Sequence, residues 1–250
     1  MSIATTDLIL YGVVDRPLDD DDASGGAIDL ENRPVFTQFS ATAKVALVSD
    51  GADTRSVDIT GRNAAGELIN ETVVLTGAGE VLSTNDYERV LIIAAQTTSA
   101  SRTITVKQGT GGTTRATIPP DEKGVYALFI NSASEAGAIE RYEAIAYYNA
   151  HATLTLNSAK VTLTADPDSR IKIALEDIKD GTQSLASRLD VPEDQATDPL
   201  VFSDDNVELS VPDTTLEAET YIKVWVEQGL EAADTAKKST FTTRLAGSSV

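Results

Sequence analysis

Residues 149–175 read NAHATLTLNSAKVTLTADPDSRIKIAL, and apolar side chains recur at every second position along much of this stretch. Leu154 and Leu156 share one face of the chain, and Ile171 and Ile173 share a face further on. Successive side chains of a β-strand point to opposite sides, so a period of two predicts strands that are buried on one face. We therefore expect an all-β protein built from antiparallel sheets.

The composition excludes several classes of enzyme. The chain has no cysteine and one histidine, His151, which rules out disulfides, thiolate catalysis and cysteine-based zinc sites. His151 has no recognisable acid-base partner, so we interpret it as a hydrogen-bonded structural residue. Asp166 and Asp168 flank a proline and are typical of a turn between two strands rather than of a glycosidase pair. We expect no enzymatic activity, no catalytic residue, and no metal or other cofactor.

The net charge of −19 at pH 7 argues against two kinds of partner. Nucleic acids and anionic membranes are bound largely through Lys and Arg, so we expect contact with neither. The first seven residues lack the basic start and apolar run of a secretion signal, and no apolar stretch approaches the roughly 18 to 20 residues that span a bilayer. We expect synthesis in the cytoplasm.

Residues 1–40 are predicted to form an extended N-terminal arm. They combine an apolar segment at 8–11 with four consecutive aspartates at 19–22. Adjacent aspartates repel one another, so this run is expected to be a solvated loop; its spacing lacks the placed ligands of a calcium site. Apolar side chains of a terminal segment are expected to be buried, either against a partner or against the protein's own β domain. The candidate interface residues are Leu8, Ile9, Leu10, Tyr11, Phe36 and Trp225.

Residues 41–120 are predicted to form a first β-sandwich domain. Its six short strands are expected at 44–48, 55–61, 68–75, 87–95, 102–107 and 114–118. Asn63 to Gly66 separate two of them, and a glycine there can take a positive φ, which favours a hairpin. The glycine-rich residues 109–112 lack the ending and the following helix of a phosphate-binding loop, so we interpret them as a turn.

Residues 121–250 are predicted to form a second β domain, because the run Pro119-Pro120 and the charges after it favour a boundary. Its strands are expected at 125–131, 143–149, 153–156, 160–165, 170–175, 207–209, 221–227 and 240–245. Alternation breaks down at 177–206, which we interpret as a long polar loop insertion, either partner-contacting or merely solvated. The expected fold is thus two antiparallel β-sandwich-like domains with an extended N-terminal arm.

Trp225 lies on a predicted strand, where it shares a face with Tyr221 and Lys223. A lone indole beside a tyrosine is more typical of half-buried packing or of an interface anchor than of a sugar-binding platform. We include Trp225 among the candidate interface residues on this ground.

Six segments carry a family resemblance: residues 7–12 (DLILYG), 25–29 (GGAID), 61–67 (GRNAAGE), 87–91 (YERVL), 149–175 and 224–228 (VWVEQ). Together they resemble a family of structural proteins of tailed-bacteriophage virions that are encoded beside the capsid genes. The chain departs from that family at the aspartates 19–22 and through 183–197, both of which we interpret as loops.

The resemblance implies a non-enzymatic virion component, and within a virion the composition fits a capsid decoration, or cement, protein. Such a protein would bind the outside of the head, contact the major capsid protein and stabilise contacts between coat subunits. A homo-oligomer, with a trimer favoured, and a location on the capsid surface follow from the same resemblance. We then expect deletion of residues 1–40 to abolish attachment while the β domains stay folded. The alternatives are a neck or tail component and a host-surface or carbohydrate-binding β module.

Overall fold

The computed structural model describes residues 2–129, 137–234, 238 and 240–249, and their regular structure is almost entirely β-strand. In chain order the strands are β1 (Leu8–Asp15), β2 (Ser24–Asp29), β3 (Asn32–Arg33), β4 (Ala43–Ser49), β5 (Ser56–Arg62), β6 (Leu68–Val74), β7 (Val81–Tyr87), β8 (Arg89–Ala95), β9 (Ile104–Gln108), β10 (Thr114–Ile118), β11 (Gly124–Tyr126), β12 (Ile139–Asn149), β13 (Leu156–Ala165), β14 (Ile171–Lys179), β15 (Ser184–Leu185), β16 (Glu208–Ser210), β17 (Thr215–Leu216), β18 (Tyr221–Leu230) and β19 (Thr242–Ser248). The helical segments in this part of the chain are two short 3-10 turns, Thr5–Asp7 and Pro212–Thr214. No helix of the described residues has the length and apolar character needed to cross a membrane. The predicted antiparallel, sandwich-like all-β fold is confirmed.

The chain divides into two compact units, of which the first is discontinuous. Met1–Asp29 and Asn131–Val250 form the first unit, and Leu30–Ile130 forms the second. These limits differ from the domain boundaries that we expected at residues 40 and 120. The prolines at 119 and 120 do not end the second unit, because β11 follows them and pairs with both β8 and β3.

The second unit consists of two sheets around one apolar core. Their strand orders are β10-β9-β4-β7 and β3-β11-β8-β5-β6. Strand β5 shows why these residues fold this way: Val57 and Ile59 are fully buried, while Asp58 between them is partly exposed. The core also takes Phe36 and Phe39, whose ring centroids lie 5.9 Å apart. Burial of this apolar area is the main source of stability for such a sandwich.

The hairpin predicted from Asn63 to Gly66 is present between β5 and β6. The last residue pair before the loop joins Arg62 to Leu68. Gly66 has φ +82°, and its backbone N–H donates to the carbonyl of Asn63 at 2.9 Å. A residue with a Cβ atom disfavours that conformation, which explains the glycine.

The first unit contains a six-stranded sheet in the order β14-β18-β12-β1-β2-β15 and a second sheet in which β13 pairs with β16, β17 and β19. The hydroxyl of Tyr147 on β12 lies 2.8 Å from that of Thr243 on β19 and links the two sheets. Ile222 and Trp225 lie on opposite faces of β18, and both are fully buried. The six-stranded sheet is therefore covered on both sides at β18, which lies between β14 and β12.

The structure corrects the extended arm that we predicted for residues 1–40. Leu8 to Tyr11 lie in β1 and pair with β12 in the register Leu8 to Asn149 and Tyr11 to Ala146. Strand β2 continues the same sheet, and the segment after Asp29 belongs to the second unit. The apolar segment is therefore part of a sheet of its own chain, and not a free arm.

Candidate functional site

The long polar segment between β14 and β16, residues 180–207, covers one face of the six-stranded sheet; we call it the covering loop. Within it, β15 pairs with β2, and Ser203 forms a bridge with Ile173. Leu185 is buried in a cluster with Trp225, and Phe202 packs against the ring of Tyr142 with centroids 5.3 Å apart. The loop thus packs several apolar side chains onto the first unit, while most of its residues are exposed.

Arg188 anchors the covering loop through a group of buried charges. Its side chain is fully buried and donates to Asp20, with the Nε–O distance at 2.7 Å, and to Glu143, with the Nη1–O distance at 3.3 Å. Arg141 on β12 also donates to Asp20, at 2.7 Å from Nε and 3.1 Å from Nη2. We call Asp20, Arg141, Glu143 and Arg188 the Asp20 cluster. Its two carboxylates and two guanidinium groups balance in charge, which is the condition for burying such groups.

Of the aspartates at 19–22, three are exposed as the predicted solvated loop requires, and the Asp20 cluster corrects the prediction for Asp20 alone. Hydrogen bonds from Arg141, opposed by burial and reinforced by Arg188, lower the pKa of Asp20 from 3.8 to about 2. Asp22 holds the local turn, because its Oδ2 accepts from the backbone N–H of Leu18 and Asp19 at 2.9 and 2.8 Å. In the described part of the chain, no three Asp, Glu or His side chains converge on a position that could hold a metal ion. The run is therefore an ordered turn with one aspartate drawn inward.

A second buried ion pair lies beneath the covering loop. Lys223 on β18 is fully buried, and its Nζ donates to Glu176 at 3.1 Å and to the backbone carbonyl of Gln183 at 2.9 Å. Its ammonium also lies 5.5 Å from the ring centroid of Trp225. Burial lowers the pKa of Lys223 and raises the pKa of Glu176, so each group relies on the other to stay charged. The Gln183 contact fixes the start of the covering loop to the sheet.

Trp225 is fully buried beneath the covering loop, which corrects its nomination as an interface anchor. The backbone of Gly25 on β2 approaches the indole so closely that a Cβ atom there would lie 2.4 Å from the ring carbon Cη2. Gly25 also has φ +99°, a conformation that L side chains rarely adopt. Trp225 therefore serves in packing, one of the roles that the sequence allowed.

The remaining nominated interface residues are also buried or partly buried within the chain. Tyr11 is 8% exposed and lies 6.1 Å from the ring of Tyr148, while Phe36 is 7% exposed in the core of the second unit. Leu8, Ile9 and Leu10 are partly buried in β1. We therefore correct the nomination of Tyr11 and Phe36, because a side chain buried in its own core presents no contact surface.

His151 and Asp166 have the structural roles that their sequence context predicted. The Nδ1 atom of His151 accepts from the backbone N–H of Thr153 and Leu154, both at 3.1 Å. Asp166 accepts from the backbone N–H of Ile171 at 2.6 Å and so closes the turn between β13 and β14. Both side chains are used to cap backbone groups.

A cleft of about 590 Å³ lies at one end of β12, β14 and β18. Two ion pairs lie along it: Arg170 with Asp234 at 2.8 Å, and Lys172 with Glu227 at 3.1 Å. Glu140 accepts from the hydroxyl of Tyr142 at 2.8 Å. The charged side chains in these contacts bind other groups of the same chain, so this arrangement is an ion-pair and hydrogen-bond network in which Glu227 is buried.

Comparison with known proteins found no family model, no curated protein and no solved structure that matches this chain.

Proposed function

We propose that this protein is a non-enzymatic structural component of a tailed-bacteriophage virion, a capsid decoration protein that binds the outside of the head. The observation that carries the proposal is the resemblance of six segments, which extend from residue 7 to residue 228. They lie in both compact units, so the proposed family relationship concerns nearly the whole chain. The proposed partner is the major capsid protein, and the proposed assembly on the shell is a trimer.

The fold suits such a role because its surface loops are held by buried contacts. The covering loop is fixed by the Asp20 cluster at Arg188 and by the Lys223 contact at Gln183. A loop that is ordered before binding loses less conformational entropy when it meets a partner. A preordered loop of this kind would therefore favour the binding of a protein that holds neighbouring coat subunits together.

The test uses phage particles produced without this chain and the purified full-length protein. We expect the protein to bind these particles up to a saturating number of copies that stands in a simple ratio to the coat protein, because each shell site is identical. Binding is measured by sedimentation of the particles followed by quantitative mass spectrometry. Failure to bind, or saturation at a few copies per particle, would contradict a decoration role.

The carbohydrate-binding alternative loses the residue on which it depended. It required an exposed aromatic platform, and Trp225 is fully buried. Loss of glycan binding in a Trp225→Ala variant would report on folding rather than on recognition, since the substitution removes a large buried side chain.

A further inference from the structure

Residues 191–201 of the covering loop form a small hairpin at the protein surface. Glu193 and Pro199 pair in an antiparallel bridge, and the backbone N–H of Leu200 donates to the carbonyl of Pro192 at 2.9 Å. This register places Val191 opposite Val201 at the base of the hairpin. Two β-branched apolar residues thus stand side by side.

The two sides of the hairpin strand have opposite environments. Leu200 and Phe202 pack against the buried cluster around Trp225, whereas Val201 between them is 83% exposed. Val191 is 43% exposed, and Leu189 two residues earlier is 38% exposed. Val201 is the most exposed of the large apolar side chains in the described part of the chain. Because its neighbours are anchored inward, Val201 cannot turn toward the core without breaking that packing.

The tip of the hairpin is held by its own hydrogen bonds. Asp194 accepts at one carboxylate oxygen from the backbone N–H of Ala196 at 2.8 Å and of Asp198 at 2.9 Å. The side-chain amide of Gln183 donates to the carbonyl of Glu193 at 3.0 Å. The exposed valines therefore lie on a hairpin that is ordered before binding, so little conformational entropy is lost when a partner binds.

The segment that carries the valines is strongly acidic. The exposed carboxylates between residues 187 and 206 are Asp190, Glu193, Asp198, Asp204 and Asp205. Arg188 is the one cationic residue in that segment, and it is buried against Asp20 and Glu143. Within the described residues, no Lys or Arg forms an ion pair with Asp190, Glu193 or Asp198. An apolar centre with an acidic rim is complementary to a basic surface.

We propose that Leu189, Val191 and Val201, with the surrounding carboxylates, form the surface by which this chain docks on a positively charged protein surface. The inference deepens the proposed function and rests on it, because the partner is then a basic patch on the outside of the coat shell. A second copy of this chain would present the same acidic rim, and with a net charge of −19 the two copies would repel each other at this face. The valines supply apolar contact area, and the carboxylates orient the partner and increase the rate of association.

The test adds purified full-length variants to particles produced without this chain and measures the copies bound at low and at high salt. The apolar variant is Val191→Ser with Val201→Ser, and its matched control is Val74→Ser, at a valine that is 54% exposed in the second unit. The charge variant is Glu193→Gln with Asp198→Asn, and its control is Asp86→Asn with Asp121→Asn, which removes the same charge from exposed positions of the second unit. Thermal unfolding of each variant verifies that these exposed substitutions leave the fold intact.

We expect the apolar variant to bind about tenfold more weakly than the wild type, with the Val74→Ser control unchanged. The charge variant should bind more weakly at low salt and show a smaller loss of binding when salt is raised. If the wild type binds and neither variant differs from its control, the proposed docking surface is wrong and the proposed function still stands. Absence of wild-type binding would overturn the proposed function and this inference together.

Discussion

Asp20 receives hydrogen bonds from two buried guanidinium groups and through them joins three parts of the first unit. It lies in the turn between β1 and β2, Arg141 lies on β12, and Arg188 lies in the covering loop. The side chains of Arg141 and Arg188 are 2% and 0% exposed, whereas that of Asp20 is 29% exposed. One carboxylate at the rim therefore compensates two charges in the interior, and its removal would take this counter-charge from both guanidinium groups.

We expect Asp20→Asn to lower the free energy of unfolding of the first unit by about 3 kcal/mol, because it leaves buried guanidinium groups without their main counter-charge. Urea unfolding followed by the fluorescence of Trp225, the single tryptophan, measures this unit. Asp21→Asn removes the same charge from an exposed neighbour and should change the value by less than about 0.5 kcal/mol. Equal effects of the two substitutions would show that Asp20 has no special role.

The lowered pKa of Asp20 also predicts a pH dependence. A carboxyl group whose pKa is lower in the folded protein stabilises the fold above its unfolded pKa and loses this contribution as the pH falls. With values of 3.8 unfolded and about 2 folded, the first unit should lose stability between these two pH values. Unfolding midpoints measured by Trp225 fluorescence should fall more steeply over this window in the wild type than in Asp20→Asn. Parallel curves would mean that Asp20 has an ordinary pKa in the folded protein.

At the scale of elements, β1 and β2 are interior strands of the six-stranded sheet. Strand β1 lies between β12 and β2, and β2 lies between β1 and β15. Without them β12 would lose a neighbour, Arg141 would lose Asp20, and Trp225 would lose its cover at Gly25. The second unit contains its own two sheets and core within Leu30–Ile130.

Deletion of residues 1–29 should therefore unfold the first unit and leave the second folded. This replaces our expectation that a chain without residues 1–40 keeps both domains intact. Deletion of residues 1–40 would also remove Phe36 and Phe39 from the core of the second unit. Exposure of Trp225 to water would shift its emission to longer wavelength, and circular dichroism would retain the β signal of the second unit. A truncated chain whose Trp225 emission and cooperative unfolding match the wild type would contradict this account.

At the scale of the whole molecule, local patterns predicted many of the strands but missed others such as β1 and β7, whereas contacts distant in sequence decided their arrangement. The period of two located β5, β6 and β14, because alternation is a property of neighbouring residues. It divided β13 into two strands at 153–156 and 160–165, whereas the structure has one strand, Leu156–Ala165. The Asp20 cluster joins residues 121 and 168 positions apart, and no local pattern shows that partnership. The covering loop left a weak signal: Leu-Val-Phe at 200–202 is a run of three apolar residues within a polar stretch whose one cation is Arg188.

The docking surface was only partly predictable for the same reason. The sequence marked residues 177–206 as a possible partner-contacting segment from their length and polarity. Which apolar side chains face outward depends on Leu185, Leu200 and Phe202 packing inward, which requires the fold of the sheet beneath. Tyr11, Phe36 and Trp225, which we nominated as interface residues, are instead buried within the chain.

The measurement that tests the central claim most directly is the copy number of this chain relative to the major coat protein in purified wild-type particles, by quantitative mass spectrometry. A decoration protein should be present in a number equal to that of the coat protein or in a simple fraction of it. A few copies per particle would place the chain in the neck or tail instead, and its absence from the particles would contradict the virion assignment altogether.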